Sequence, residues 1–337
     1  MKTFEHGGQI EKFALELGCD VSEIIDLSSN INFVKPQINV DFNTLDISSY
    51  PTYDKLYEKI ASNYGVQSDE IELFNGGSSA IFTLFKHLNL ESCTIYSPAY
   101  LEYKKASLNF GYKLNLINRF ENIDVEIKKN SLVIFVNPST PDGKYYELEE
   151  LMKKWIENSC TILIDESFLD FCDKPSAIEY LKTYDKLYIL KSMTKFYSSA
   201  GIRVGTIVST KQNIEKLKRF EPMWKLSQFD SNYLQAALAD KLFKNISKEI
   251  NLKNKIELEN ILNESDLIDE ISTSSANYML VKLKDIKAKE FQERLKPYKI
   301  MVRDCSNFDY LDDRFIRVAV KSSNANDSLK RALKHIC

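Results

Sequence analysis

Lys195 stands in a run of hydroxyls, Ser192-Met193-Thr194-Lys195-Phe196-Tyr197-Ser198-Ser199, that continues to Gly201, Arg203 and Gly205. Apolar runs bound it on both sides. Residues 187–190 precede it, and residues 202–208 follow, broken by Arg203 and Gly205. A lysine held between buried strands, beside hydroxyls and a second cation, suits two tasks. It can bind a phosphate, or it can form a Schiff base with a carbonyl compound beside one. Four more polar groups follow strand-like apolar runs: Gly76-Gly77-Ser78-Ser79, Tyr100 after Ser97-Pro98-Ala99, Asn137-Pro138, and Asp165-Glu166.

Each of these has a plain reading beside the chemical one. Glycines and serines ahead of a helix can cradle a phosphate on free N–H groups, or simply cap the helix. Asp165 can face a protonated ring nitrogen, or cap a helix or pair with a cation. Asn137 before a proline is a turn signal. Taken in chain order, a phosphate cradle, an aromatic ring, Asn, Asp, Lys and Arg meet the needs of pyridoxal 5′-phosphate. Lys195 makes the Schiff base, and Asp165 keeps the pyridine nitrogen protonated so that the ring accepts electrons. Asn137 donates to the ring oxygen and Tyr100 stacks on the ring. Gly77, Ser78, Ser192, Thr194 and Arg203 surround the phosphate.

These groups need a scaffold that brings strand ends together. Strands are expected at residues 71–74, 93–96, 112–117, 132–136, 161–164, 187–190 and 202–208, with helices at 80–87, 100–109 and 147–157. Strands apolar throughout and alternating with helices predict an α/β fold, a mostly parallel sheet covered by helices on both faces. Ligands bind beyond the carboxyl ends of such strands. Further helices are expected at 9–17, 53–64 and across 227–259. A smaller α/β unit follows, with strands at 278–283, 300–302 and 315–320 and helices at 287–295 and 327–335. The expected division is an N-terminal segment, 1–45, that completes the small domain and covers the site, a large domain, 46–255, and a small domain, 256–337.

The 337 residues are 44% hydrophobic and 28% charged, with a net charge of -3, as in an ordinary water-soluble protein. No block of Lys and Arg suggests nucleic acid, and no apolar run is long enough for a membrane span. The N-terminus lacks an apolar signal core. The six cysteines are scattered and the three histidines lie far apart. Free thiols in a cytoplasmic protein and no metal site are the expectation.

The chain resembles fold type I pyridoxal-phosphate enzymes, in the group of histidinol-phosphate aminotransferase and L-threonine-O-3-phosphate decarboxylase. The resemblance is carried by Tyr50-Pro51, Asn75-Gly76, Pro98-Ala99-Tyr100, Asn137 to Gly143, Asp165-Glu166-Ser167-Phe168, Ser192 to Gly205, Val302-Arg303-Asp304 and Phe315-Ile316-Arg317-Val318. It implies Lys195 as the Schiff-base lysine, and Arg303 and Arg317 as substrate ligands, Arg317 chiefly for the carboxylate. It implies a homodimer in which Tyr50 reaches the cofactor phosphate of the neighbouring subunit. His6-Gly7-Gly8, Ser28 to Asn32, and Phe168 where aminotransferases of the group carry Tyr resemble the decarboxylase branch. That branch implies release of CO2 from an O-phospho-L-amino acid, either threonine phosphate or serine phosphate, to leave a phosphorylated amino alcohol. The alternative is transamination of a phosphorylated substrate with glutamate. His6, Asn32 and Arg303 are the candidates for the substrate phosphate. The chain departs from the group's pattern at Phe33-Val34-Lys35-Pro36 and at Ser79, both near the site.

Overall fold

The computed structural model describes residues 7–336. Among the described residues, thirteen strands form three sheets. In chain order they are β1 (Ile25–Asp26), β2 (Ile71–Phe74), β3 (Ser92–Ser97), β4 (Lys113–Asn118), β5 (Leu132–Val136), β6 (Thr161–Asp165), β7 (Leu187–Lys191), β8 (Gly205–Val208), β9 (Ile268–Ile271), β10 (Tyr278–Leu283), β11 (Ile300–Met301), β12 (Arg303–Asp304) and β13 (Phe315–Ala319).

The central sheet has the order β2-β8-β7-β6-β5-β3-β4. Pairings from β7 through β4 are parallel; β8 alone runs opposite, antiparallel to both β7 and β2. β2, β3, β5, β7 and β8 are buried at every position. Continuous apolar strands need cover on both faces, and two separate cores supply it. One packs Ile60, Val133, Phe135, Trp155, Ile162 and Ile189; the other packs Phe74, Leu84, Phe85, Ile134, Leu163 and Leu190. Alternating residues of β5 and β6 fall on alternate sides, as the period of two requires.

The four-stranded sheet, order β12-β13-β10-β9, is antiparallel throughout. Its core joins Met279, Val281, Ile316 and Val318 to Leu329 and Leu333 of the last helix, Ser323–Ile336, and also takes in Leu27. β1 pairs in parallel with β11, so the N-terminal segment is stitched to the C-terminal region. The helix Phe243–Asn263 buries Phe243 in one core and Leu258, Ile261 and Leu262 in another. The expected boundary after residue 255 therefore falls inside one continuous helix.

Other differences are local. The helix expected from residue 80 begins at Gly76, which absorbs the Gly-Gly-Ser-Ser run into its first turn. β8 starts at Gly205, three residues later than the apolar run suggests. β9, polar and only partly buried, carries no apolar signal in the sequence. Among the described residues, no helix is long and apolar enough to cross a membrane.

Candidate active site

A cavity of about 400 Å³ opens where β6 and β7 end. Three parts of the chain wall it. The N-terminal segment gives Gly7, Ser28, Ser29, Asn30 and Ile31. The central sheet and its loops give Gly77, Ser78, Tyr100, Thr140, Asp165, Ser167, Phe168, Ser192, Thr194, Lys195 and Arg203. The small sheet side gives Arg303, Phe308 and Arg317. Eleven residues expected at the site from sequence are thus brought together: Gly77, Ser78, Tyr100, Asp165, Phe168, Ser192, Thr194, Lys195, Arg203, Arg303 and Arg317.

Lys195 lies in the short helix Met193–Phe196 directly after β7. Burial lowers its pKa below 10.5; the Asp165 charge opposes this, while Arg203 and Arg317 add to it. Among the described residues no carboxylate pairs with it, and its Nζ stands 5.2 Å from the centroid of the Phe168 ring. A desolvated lysine between other cations holds its proton weakly, as a nucleophilic amine requires.

Asp165 ends β6 and is buried. One carboxylate oxygen accepts from both the N–H and the hydroxyl of Ser167. The other accepts from the hydroxyl of Tyr103 at 2.7 Å. Glu166, one residue on, points the other way, into a buried ion pair with Lys191 that Ser176 and the Ala177 N–H complete. The strand's alternation thus separates the cavity carboxylate from the structural one.

The helix Gly76–Leu88 aims its N-terminus at the cavity. Gly76 has φ +83°, and a Cβ there would collide with the Arg203 guanidinium. A Cβ on Gly205 would lie 2.5 Å from the Gly77 nitrogen and 2.6 Å from the Gly76 carbonyl carbon. Both glycines exist so that helix, strand and Arg203 can crowd into one cradle. The Ser78 and Tyr100 hydroxyls are 3.1 Å apart, and those of Ser192 and Thr194 3.2 Å. Free N–H groups, hydroxyls and a guanidinium around one point fit a phosphate group.

The second cationic centre is built by sheet register. Arg303 on β12 and Arg317 on β13 are directly opposed, so their side chains leave the same face. Both are only 9% exposed. Arg303 donates to the side-chain oxygen of Asn307 at 2.8 Å. Arg317 donates to the Thr140 hydroxyl at 3.1 Å and to the Ser28 carbonyl at 3.3 Å, and its guanidinium lies over the Tyr278 ring. Burial pushes its pKa down. No described carboxylate forms an ion pair with Arg317. Two guanidinium groups on one buried face can hold an anion between them.

Thr140 is itself positioned. Arg119 forms a buried ion pair with Asp142 and donates to the Thr140 carbonyl, while Tyr278 donates to the Ser139 carbonyl at 2.8 Å. The 137–143 loop thereby joins the central sheet to the small one.

Asn32, expected as a phosphate ligand, has a different place. Its N–H donates to the Lys195 carbonyl and its side chain to the Phe196 carbonyl and Ser247, while its own carbonyl accepts from Asn251 and the Val34 N–H. It clamps the backbone that carries the lysine. The buried side-chain oxygen of Asn30, two residues earlier, lacks a hydrogen-bond partner and is at the cavity wall. Asn137 also departs from expectation. Its side chain grips the Tyr146 N–H and carbonyl, each at 2.9 Å, and it is not on the cavity wall. Tyr50 is 71% exposed, away from this chain's cavity, and stacks on Trp224 with ring centroids 4.0 Å apart. His6 lies outside the described residues. Ser28, Thr140 and Tyr103 were missed, because each acts by holding another residue across a long sequence separation; Ser167 was missed although it holds its near neighbour Asp165.

The site residues fit pyridoxal 5′-phosphate. Lys195 would hold its aldehyde carbon, Asp165 its ring nitrogen, and the Gly77–Ser78 helix start with Ser192, Thr194 and Arg203 its phosphate. Known proteins agree. A candidate threonine-phosphate decarboxylase from Caldanaerobacter subterraneus subsp. tengcongensis is 33% identical over 99% of this chain and 94% of its own. Histidinol-phosphate aminotransferase from Methanocaldococcus jannaschii is 27% identical over 100% of this chain and 95% of its own. Among solved structures, histidinol-phosphate aminotransferase from Clostridium acetobutylicum matches with TM-score 0.81 and 29% identity, covering 92% of this chain and 98% of that one. The fold is also that of L-threonine-O-3-phosphate decarboxylase from Porphyromonas gingivalis, at TM-score 0.81 and 21% identity, over 93% and 99% of the two chains. The model of the family named aminotransferase class I and II matches residues 23–336, and the chain belongs to that family of pyridoxal-phosphate-dependent enzymes.

Proposed function

We propose that this chain decarboxylates an O-phospho-L-amino acid, L-threonine O-3-phosphate or O-phospho-L-serine, to CO2 and a phosphorylated amino alcohol. The observation that carries the reading is the opposed pair Arg303 and Arg317. The phosphate cradle at Gly77 and Ser78 is taken by the cofactor, so a second cationic centre implies a substrate with anionic groups of its own. Arg317, with its flat fork, suits a carboxylate, and Arg303 suits the substrate phosphate.

Bound pyridoxal phosphate supplies an electron sink for the carbanion left at the substrate's α-carbon. The chain does the rest. Arg317, held by Thr140 and the Ser28 carbonyl, fixes the carboxylate and so decides which bond at the α-carbon stands perpendicular to the ring. Asp165, held by Ser167 and Tyr103, keeps the ring nitrogen charged. Lys195, on the cavity wall, would return a proton to the α-carbon. Phe168 offers no hydroxyl to the ring oxygen, as in the decarboxylase branch. We also read the chain as a homodimer, with exposed Tyr50 serving the neighbouring site, and as an N-terminal segment, a large domain and a small domain.

The aminotransferase reading draws on the relatives from Methanocaldococcus and Clostridium. One experiment separates the two. Purified holoenzyme is incubated with phosphothreonine and phosphoserine, and separately with glutamate. Evolved CO2 with a phosphorylated amino alcohol supports the proposal. Conversion of glutamate to 2-oxoglutarate without any CO2 from either phosphoamino acid refutes it.

A further inference from the structure

Tyr103 is fully buried in the core under the central sheet, yet its hydroxyl reaches the cavity carboxylate, Asp165, at 2.7 Å. It belongs to the helix Leu101–Asn109, whose N-terminal flank is Tyr100 on the cavity wall. Residues three apart share a helix face, and the two rings meet edge to face with centroids 6.2 Å apart. One helix turn therefore delivers an aromatic ring to the cavity and a hydroxyl to the carboxylate behind it.

The two oxygens of Asp165 are served differently. One is taken twice, by the Ser167 N–H and the Ser167 hydroxyl. The other accepts from Tyr103 and keeps one lone pair for a further donor. Burial holds the Tyr103 phenol far above its ordinary pKa, with the Asp165 charge adding to the effect. Tyr103 thus stays protonated and stays a donor at any working pH.

We propose that Tyr103 is a positioning residue that keeps the shared proton on the cofactor's ring nitrogen by donating to Asp165. The proposal rests on the reading of Asp165 as the partner of that nitrogen. A hydrogen bond to a carboxylate favours its charged form. With Tyr103 in place, Asp165 draws the proton less, and the ring stays a cationic electron sink. Without it, the same carboxylate has one donor fewer and pulls the proton toward itself. Ser167, which donates twice to the other oxygen, acts in the same direction and leaves Tyr103 as the donor on the oxygen that keeps a lone pair free.

The test uses holoenzyme loaded with pyridoxal phosphate carrying 15N in the ring and reads the nitrogen chemical shift. In Tyr103→Phe the signal is expected to move from the protonated-pyridinium position toward that of neutral pyridine. Site-specific 3-fluorotyrosine at position 103, a stronger donor of nearly the same shape, is expected to leave the signal at the protonated position or move it further that way. Asp165→Asn serves as the reference. If the reference leaves the signal unmoved, the reading of Asp165 fails and the proposal with it. If the reference moves the signal and Tyr103→Phe lowers only the melting temperature, the Tyr103 proposal alone is overturned. The fluorinated variant keeps the test open should Tyr103→Phe fold poorly, because a shift toward neutral pyridine in it would also overturn the proposal.

Discussion

Arg317→Met separates what the cavity needs for binding from what the fold needs for stability. The guanidinium is 9% exposed, has no carboxylate partner among the described residues, and faces Arg303 across a registered strand pair. Replacing buried ionic groups with well-packed apolar ones gains about 1–4 kcal/mol, and an unpaired guanidinium has no ion pair to lose. Against this stand two hydrogen bonds to neutral acceptors, the Thr140 hydroxyl and the Ser28 carbonyl, at about 1 kcal/mol each. Without ligand, the variant is expected to lie between about 1 kcal/mol less stable and about 2 kcal/mol more stable than the parent. Catalysis moves the other way. Loss of two charge-assisted hydrogen bonds to the substrate, at about 1.5–3 kcal/mol each, lowers kcat/KM by about 10²- to 10⁴-fold. Thermal melts with and without inorganic phosphate, beside steady-state rates, make the assay. Phosphate is expected to stabilise the parent more than the variant. A variant that loses several kcal/mol of stability with its activity, or keeps parental kcat/KM, would refute the account of Arg317 as an anion ligand stored at a cost to the fold.

Lys195→Ala is expected to abolish turnover and the visible absorption of covalently held cofactor while far-ultraviolet circular dichroism keeps its parental form; parental turnover would remove Lys195 from its role. The two asparagines should part company. Asn30→Ala is expected to leave melting nearly unchanged, because the buried side-chain oxygen it removes has no hydrogen-bond partner among the described residues. Asn32→Ala, which leaves the Phe196 carbonyl, Ser247 and Asn251 short of a partner, is expected to cost about 2–4 kcal/mol of stability in a denaturant titration. Cofactor loading of the apoprotein should speed up with pH and level off below 10.5, because the neutral Lys195 amine attacks the aldehyde and burial lowers its pKa. The sign for stability follows: between the lowered folded value and 10.5 the unfolded chain binds more protons, so this group's contribution rises with pH there and is lost as pH falls through that window. Lys195→Met should flatten that slope in apoprotein melts.

Much of the fold was legible because buried parallel strands are apolar at every position, and 132–136, 161–164 and 187–190 could hardly be anything else. β9 was not, since Ile268–Ile271 is half exposed and its partner lies beyond a turn. The strand ends named Lys195, Asp165, Tyr100 and Arg203 because alternation and topology carry such residues to one edge. The same logic did not foresee that the backbone of Tyr146 takes the Asn137 side chain, or that a helix 215 residues away takes that of Asn32. Tyr103 carried a readable sign, three residues after Tyr100 on one helix, but its use depends on Asp165, 62 residues on.

The crowding at Gly205 bears on how mutational maps of this enzyme are read. Neither Gly205 nor Gly76 has a side chain, yet any β-carbon there drives backbone into backbone or into Arg203. A saturation scan scored on growth or product will therefore mark both positions as intolerant as Lys195. Ranking residues by such scores would enrol two bystanders as catalysts. Only a paired measurement of folded abundance tells an atom that reacts from an absence of atoms that lets others meet.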